Sequence, residues 1–281
     1  MTEAIEFGRL SLWRDTAGLS DIKARDLAAR LELRARAEDE AAVRDEYVGL
    51  LGVTPGERVL DVGCGSGAVT RVLARRVAPG GDAVGVDASP ALLAVARELA
   101  AEAGLSEVIE LREGDCRVLP FPDASFDATV AATVLVHVPN AEQALAEMVR
   151  VTRAGGRIGV FDFDGDSLLI AHPDRELTRR IVAANADYGS VNGWLARQLP
   201  GLFTDLGLLN VRVRGFMPLE RAPDSFYASS TARAAEVAAQ MGAITPDEWA
   251  RWRDEHAAEC AAGRFLGGRL HLFVWGTRPP G

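Results

Sequence analysis

The chain has 281 residues, of which 48% are hydrophobic, and its formal net charge is −9. This length and hydrophobicity suffice for one large domain or for a domain with an inserted cap. The acidic balance disfavours RNA or DNA as a partner, because nucleic-acid-binding faces are basic. No early apolar run reaches the length of a signal peptide or a membrane span, so we expect a cytoplasmic protein without membrane contact. The three cysteines are far apart and predict neither a disulfide framework nor a metal site.

The hydrophobic pattern predicts a helical segment over residues 20–50, followed by alternating strands and helices. Strands are expected near 58–62, 82–86, 107–111, 126–131 and 157–162. Helices are expected near 69–77, 90–103 and 141–152. This alternation is typical of an α/β fold, in which helices cover both faces of a mostly parallel sheet.

The pattern changes after the fifth strand, where residues 165–200 indicate loop and helix without strand alternation. The later elements are a helix at 199–208, a strand at 211–214, helices within 223–262 and a strand at 270–275. The tetrapeptide Thr245-Pro246-Asp247-Glu248 has the composition of a helix start.

The first strand leads into a glycine-rich turn. Residues 59–62 form a short apolar run that predicts a buried strand, and Gly63, Gly65 and Gly67 interrupt it before helical spacing returns. Glycine permits positive φ and lets backbone amides approach a ligand. A strand, a glycine-rich turn and a helix together predict a loop that binds a nucleotide cofactor.

The glycines alone do not identify that cofactor. Gly63, Gly65 and Ala68 also satisfy the pattern of dinucleotide-binding proteins, and Asp87 suits a ribose diol in NAD or in any adenosine ligand. Asp61 is more selective, because a carboxylate inside a buried strand is costly without a partner. A ligand ammonium group would be one, and S-adenosylmethionine carries one whereas NAD does not.

A third segment supports the same cofactor. Residues 108–116 predict a strand ending in Gly114-Asp115, and residues 119–127 predict a turn into the next strand. With these segments the chain resembles the class I S-adenosylmethionine-dependent methyltransferases, most closely the group that acts on small molecules and resembles quinone-biosynthesis enzymes. The matching residues are Asp61-x-Gly63-x-Gly65-x-Gly67, Asp87, Gly114-Asp115, 119–127 and the turn at 150–157.

The resemblance covers residues 55–165 well and has weaker support at 200–216 and 268–278. It implies a Rossmann-like, doubly wound sheet of seven mostly parallel strands, whose last two strands form an antiparallel hairpin. The implied division is an N-terminal helical extension or lid at 1–54, a cofactor-binding core at 55–222 and 263–281, and a helical cap insertion at 223–262.

The resemblance also implies which residues hold the methionyl end of S-adenosylmethionine. Asp61 and the backbone of Gly63 would hold its amino group. Gly65 and Gly67 would shape the loop, and Ala132, just past the fourth strand, would offer its carbonyl.

The nucleoside end would meet a second set of residues. Asp87 would accept from the ribose hydroxyls, with Ala88 beside the adenine. Asp115 would accept from the adenine amino group, and the backbone N–H of Cys116 would meet a ring nitrogen. Cys64 sits in the loop, where a small side chain suffices. Asp87 could instead cap the following helix, and Asp115 could instead serve a local turn.

Methyl transfer from a sulfonium is an in-line displacement, so the protein mainly aligns the reactants. His137, just after the fourth strand, is the first candidate for a general base, although it could instead bond locally and shape the pocket. Asp162 and Asp164 follow the fifth strand and are candidates for substrate contact. With Asp166 they could bind Mg²⁺, but the fourth strand ends without a carboxylate, so no metal is predicted.

Aromatic residues concentrate in the segments outside the core strands and suit a flat, aromatic or apolar small-molecule acceptor, although packing explains them as well. They are Trp13, Tyr47, Tyr188, Trp194, Phe226, Tyr227, Trp249 and Trp252. Arg34 and Arg197 are candidates to anchor an acidic group of the substrate or the methionyl carboxylate, and His172 with Asp174 is a further pocket candidate. An NAD-dependent oxidoreductase and a cofactor-binding cyclase of the same fold remain open as alternatives.

Overall fold

The computed structural model describes Trp13 and residues 16–280. The helices in this part of the chain are α1 (Asp21–Arg36), α2 (Glu38–Leu51), α3 (Ala68–Val77), α4 (Pro90–Glu102), α5 (Ala141–Val151), α6 (Arg175–Tyr188), α7 (Leu195–Asp205), α8 (Phe226–Gln240) and α9 (Pro246–Ala261). The strands are β1 (Arg58–Val62), β2 (Asp82–Asp87), β3 (Ile109–Glu113), β4 (Phe126–Ala132), β5 (Thr152–Phe163), β6 (Leu169–Ile170), β7 (Leu209–Phe216), β8 (Leu219–Glu220), β9 (Gly267–Gly268) and β10 (His271–Thr277).

Seven of the described strands form one sheet in the order β3-β2-β1-β4-β5-β10-β7. The first five are parallel, and β10 is antiparallel to both β5 and β7. The chain order reverses between β1 and β4, which is where open α/β sheets bind ligands. The predicted Rossmann-like α/β fold with an antiparallel pair at its C-terminal side is confirmed.

Apolar side chains from both faces of the sheet build the core. On one face α2 and α3 contribute Tyr47, Leu51 and Leu73, and on the other face α5 and α7 contribute Leu145 and Phe203. The strands between them are buried on both sides, so they carry continuous apolar runs rather than alternating ones. A rigid sheet edge results, on which the loops at the strand ends are placed.

Several element boundaries differ from expectation. The N-terminal segment is two helices, because the backbone at Ala37 is extended (φ −60°, ψ 133°). Strand β5 starts at Thr152 and absorbs most of the expected turn at 150–157. Helix α7 begins at Leu195 and carries Pro200 in its interior, where the missing N–H removes one intrahelical hydrogen bond.

A helical cap packs beside the sheet and is wider than the expected insertion at 223–262. Helices α6, α8 and α9 pack around Trp252, and the short strands β6, β9 and β8 form a second sheet next to them. Helix α9 begins at the expected position, where Thr245 and Glu248 form a capping box. Within residues 13 and 16–280, no helix combines the length and apolarity needed to cross a membrane.

Candidate functional site

A cavity of about 460 Å³ lies at the carboxyl edge of the sheet, in the size range of ligand sites. The loops after β1, β2, β3 and β4 form its floor, and α1, α2 and α8 contribute to its walls and roof. Because neighbouring strands bring their ends side by side, residues distant in sequence share this edge. The side formed by Asp61, Asp87 and Asp115 is called the acidic end below.

The glycine loop after β1 has the backbone that its sequence predicts. Gly63, Gly65 and Gly67 have φ of 69°, 53° and 76°. A Cβ on Gly63 would lie 2.6 Å from the methyl carbons of Val134, so only glycine fits there. Gly67 is the N-cap of α3 and does not itself line the cavity, which agrees with a purely shaping role.

Helix α1 closes over this loop. The Glu32 carboxylate accepts a hydrogen bond from the Ser66 hydroxyl (2.7 Å) and pairs with Arg71 (2.8 Å). A Cβ on Gly65 would lie 2.8 Å from a methyl carbon of Leu31. The loop is thus held between β1, α3 and α1, and it is shielded from solvent on the α1 side.

Asp61 faces the cavity from the end of β1 and is 1% exposed. One carboxylate oxygen accepts from the Thr70 hydroxyl at 2.6 Å. Burial raises the pKa of Asp61 to about 7, with a further rise from nearby Asp87. A buried carboxylate with only one neutral partner is well suited to receive a cationic ligand group.

Asp87 ends β2 and is fixed by two backbone amides. Its carboxylate oxygens accept from the N–H of Gly65 and of Ser89, each at 2.9 Å. Ser89, rather than Asp87, is the N-cap of α4, because its side chain accepts from Leu92 N–H. The alternative capping role of Asp87 is therefore wrong, and the carboxylate links the glycine loop to the second strand.

The remaining residues expected at the cofactor also line the cavity: Ala88, Cys64, Asp115, Cys116 and Ala132. Asp115 accepts from Arg117 N–H at 2.8 Å and pairs with the Arg117 guanidinium, which lowers the pKa of Asp115. Asp115 thus stabilises its own turn while facing the cavity. The Ala132 carbonyl accepts from the Thr133 hydroxyl at 2.7 Å.

The acidic end fits S-adenosylmethionine by the chemistry of its groups. A buried carboxylate suits an ammonium group, a second carboxylate on a glycine loop suits a ribose diol, and a third suits an exocyclic amine. Asp61 lies near the end of β1, Asp87 ends β2 and Asp115 follows β3, and these three strands are adjacent in the sheet. Asp162 and Asp164 are not part of this set.

The expectation that Asp162 and Asp164 contact the substrate is corrected by the structure. Side chains alternate along a strand, so Phe161 and Phe163 face the cavity and Asp162 points to the other side of the sheet. Asp162 accepts from Val136 N–H at 3.1 Å. Asp164 pairs with Arg197 at 2.7 Å outside the cavity lining, so Arg197 is not a substrate anchor either.

His137 lines the cavity and packs against Phe163, with their ring centroids 5.8 Å apart. Burial and the nearby charges of Arg269 and Arg34 lower the pKa of His137 to about 3. Its imidazole is therefore neutral at physiological pH, and it can accept a proton only as a weak base. Burial likewise lowers the pKa of His271, which lines the same cavity.

Half of the aromatic candidates reach the cavity: Trp13, Tyr47, Phe226 and Tyr227 line it, whereas Tyr188, Trp194, Trp249 and Trp252 do not. His172 lies outside as well, stacked on Trp252 with a 4.9 Å centroid distance. Among the described residues, no group of three or more histidine, cysteine or acidic side chains is arranged to hold a metal ion.

Sequence reasoning missed Arg30, Arg269 and His271, all of which line the cavity. The last two precede or begin β10, which runs antiparallel to β5. The start of an antiparallel strand lies at the same sheet edge as the ends of its parallel neighbours. This is the signal that could have placed both residues at the site. The side formed by Arg30, Arg34, Phe163, Phe226 and Arg269 is called the arginine-rich end below.

Part of the chain is similar in sequence to known methyltransferases. The methyltransferase domain family matches residues 60–160. An uncharacterized 37.1 kDa protein in transposon TN4556 of Streptomyces fradiae is 35% identical over 182 residues, which are 65% of this chain and 52% of that protein. The ubiquinone/menaquinone biosynthesis C-methyltransferase UbiE of Ectopseudomonas mendocina is 39% identical over 122 residues, which are 43% of this chain and 48% of that protein.

The crystal structure of the YcgJ protein from Bacillus subtilis shares the fold. Its TM-score is 0.60 at 20% identity, covering 85% of this chain and 98% of that one. The chain spans about half the length of the two relatives named above. The glycine loop and all three acids lie within the matched segment. Residues 60–160 are therefore similar to a methyltransferase domain.

Proposed function

We propose that this protein transfers a methyl group from S-adenosylmethionine to an oxygen, carbon or nitrogen atom of a small-molecule acceptor, leaving S-adenosylhomocysteine. One observation carries the proposal. A single cavity joins the acidic end, whose carboxylates suit the cofactor, to the arginine-rich end, whose cationic and aromatic side chains suit a second molecule. A cofactor-binding module without chemistry would have no use for this second compartment.

S-adenosylmethionine supplies a methyl group on a positively charged sulfur and needs no further activation. In the proposed complex Asp61 holds the ammonium group and Asp87 accepts from both ribose hydroxyls. Asp115 and the backbone N–H of Cys116 form hydrogen bonds with the edge of the adenine ring. Gly63 lets the chain pass close to the methionyl group, because any side chain there would collide with Val134.

The main contribution of the protein to the reaction is alignment, which can supply roughly 7–11 kcal/mol. Helices α1 and α8 meet over the cavity, where Arg30 donates to the hydroxyls of Ser229 (3.0 Å) and Ser230 (2.8 Å). This contact limits the access of water to the cavity and fixes the position of its arginine-rich end. His137 contributes little as a base, because its burial and the nearby charges of Arg269 and Arg34 keep its pKa low.

An NAD-dependent oxidoreductase fits the site less well, because NAD has no ammonium group to meet the buried Asp61 carboxylate. Calorimetric titration distinguishes the methyltransferase from the oxidoreductase. We expect S-adenosylmethionine and S-adenosylhomocysteine to bind and NAD to give no signal. Binding of NAD without a response to S-adenosylmethionine would overturn the proposal.

Turnover is the second test. Incubation with methyl-labelled cofactor and a panel of small acceptors should release S-adenosylhomocysteine in proportion to methylated product. Tight cofactor binding with no product across the panel would favour the non-methylating cyclase alternative instead.

The Asp87→Ala variant tests the ribose assignment. We expect cofactor affinity to fall by about 1–3 kcal/mol, because charge-assisted hydrogen bonds to the ligand are lost. Asp82→Ala is the matched control, since Asp82 begins the same strand and its half-exposed side chain lies outside the cavity lining. Calorimetry on both variants gives the comparison. Unchanged affinity in Asp87→Ala would remove Asp87 from the ribose site.

A further inference from the structure

The cavity is rich in arginine although the chain is acidic overall. Among the described residues, six arginines and four acids line it, whereas the formal net charge of the chain is −9. The acids at the acidic end are accounted for by the proposed cofactor contacts. The excess of positive charge lies toward the helices α1 and α8 and the start of β10.

Some of these arginines already have carboxylate partners. Arg34 pairs with Glu40 at 3.0 Å, and Arg117 pairs with Asp115. Among the residues described, Arg30 instead donates only to the serine hydroxyls of α8, and the buried Nε of Arg269 has no hydrogen-bond partner. Asp164 acts on Arg269 from beyond ion-pair distance. Among the described residues, Arg30 and Arg269 therefore present charge to the cavity without a carboxylate in direct contact.

An uncompensated buried cation is costly, and a guanidinium avoids that cost by deprotonation less readily than other groups. Burial and the neighbouring Arg34 lower the pKa of Arg269 to about 10, so it stays charged near neutral pH. Burial also lowers the pKa of Arg30, and Arg233 adds to this effect. A ligand oxyanion between these groups would relieve both desolvation and mutual repulsion.

Aromatic rings flank the same guanidinium groups. Arg269 lies over the ring of Phe163 at 4.4 Å, and Arg30 lies over the ring of Phe226 at 5.0 Å. The rings hold the guanidinium planes in place and line the surrounding space with apolar surface. A ligand with an apolar body and a planar or tetrahedral oxyanion matches this combination.

We propose that the methyl acceptor is an organic acid, whose carboxylate or phosphate group is bound by Arg269 and Arg30 and whose apolar body packs against Phe163 and Phe226. This rests on the proposed methyltransferase function. The methionyl carboxylate is the competing anion, and Arg34 is better placed for it, since Arg34 donates to the Thr133 hydroxyl (3.2 Å) next to Ala132.

The test uses three probes with the same naphthalene body: 1-naphthoate, 1-naphthyl phosphate and neutral 1-naphthamide. Each is titrated into the full chain, alone and with saturating S-adenosylhomocysteine. We expect one of the acids to bind at least tenfold more tightly than the amide, and the tighter one identifies the oxyanion. Binding of the amide within threefold of both acids would overturn the proposal.

Arg269→Gln removes the charge and keeps hydrogen-bonding capacity. We expect the preference for the acid to fall below threefold, with unchanged affinity for S-adenosylhomocysteine. Arg212→Gln is the matched control, an exposed strand arginine outside the cavity lining, and should keep the full preference. If circular dichroism shows that the Arg269→Gln variant is unfolded, the preference for the acid is measured instead on the Arg30→Gln variant, whose substitution lies in α1.

The two proposals fail in different ways. A chain that binds S-adenosylhomocysteine without preferring the acids keeps the methyltransferase function and loses the acidic acceptor. A preference for the acids without binding of S-adenosylhomocysteine overturns the assignment of the anion as a methyl acceptor. An Arg269→Gln variant that loses S-adenosylhomocysteine affinity but retains the preference assigns this guanidinium to the cofactor, which also overturns the proposal.

Discussion

Asp61 shows how a single residue can be costly for the fold and useful for the site. It is fully buried, and its carboxylate receives one hydrogen bond from Thr70. Because the folded state raises its pKa to about 7 from an ordinary value near 3.8, the folded protein binds more protons than the unfolded chain between these values. The free energy of unfolding therefore decreases as pH rises through this window.

The Asp61→Asn variant should be more stable than the parent chain but should lose cofactor affinity. We expect the free energy of unfolding without ligand to rise by about 1–3 kcal/mol at pH 8. The gain should shrink toward zero near pH 4, where the parent carboxyl is protonated. Urea unfolding at both pH values measures it.

The exposed Asp82 serves as the control, because Asp82→Asn should change stability by less than about 0.5 kcal/mol. A loss of stability in Asp61→Asn at pH 8, or an equal gain at both pH values, would contradict the account of Asp61.

The cofactor acids could be predicted from sequence because their positions are local. Each lies at or just past the end of a short strand, so the strand pattern alone places it at the sheet edge. The arginines could not be predicted in this way, since Arg30 reaches the cavity only through the docking of α1, and Arg269 only through the position of β10. The direction of Asp162 was missed because its strand continues through Phe163.

The glycine loop is the element where backbone geometry and function coincide. Gly63 and Gly104 both have φ of 69°, but only at Gly63 would a Cβ collide with a neighbour. The space around Gly104 is open within 4 Å. Adding a Cβ at these two glycines therefore separates the free-energy cost of a left-handed backbone from that of steric crowding.

Substituting alanine at each position tests this difference. We expect Gly104→Ala to cost about 1 kcal/mol from backbone strain alone. Gly63→Ala should cost a further ~1–3 kcal/mol, because Val134 must move. Thermal or urea unfolding compares the two variants. Equal losses of stability would show that Val134 yields easily and that the close approach at Gly63 does not constrain the loop.

At the scale of the whole molecule, an early helix, α1, and a late helix, α8, meet over the cavity at the carboxyl edge of the central sheet. Strand alternation predicts the sheet well, because the five parallel strands come consecutively in the chain, with a helix after each of β1, β2 and β4. The cap was predicted less completely, since α6 lies outside the segment at 223–262 and joins α8 and α9 only through tertiary packing. The hydrophobic periodicity of a segment does not indicate which distant helix packs against its apolar face.

Binding of S-adenosylhomocysteine should stabilise the helices around the cavity to different degrees. We expect slower amide exchange in residues 63–67 and in α1, which contacts the loop through Leu31 and Glu32. Helix α9 contributes no residue to the cavity lining and is an internal control that should change little. Hydrogen–deuterium exchange with mass spectrometry measures both. Protection of 63–67 without protection of α1 would contradict a closing role for this helix.

The position of β10 has a consequence for biosynthesis. Its residues, 271–277, come last among the strands in chain order yet lie between β5 and β7. During translation β5 and β7 are therefore made long before the strand that joins them, and each presents an open edge that can pair wrongly. Arg269 enters the cavity with the same segment. The sheet and the arginine-rich end are thus both completed when this one late segment of the nascent chain docks.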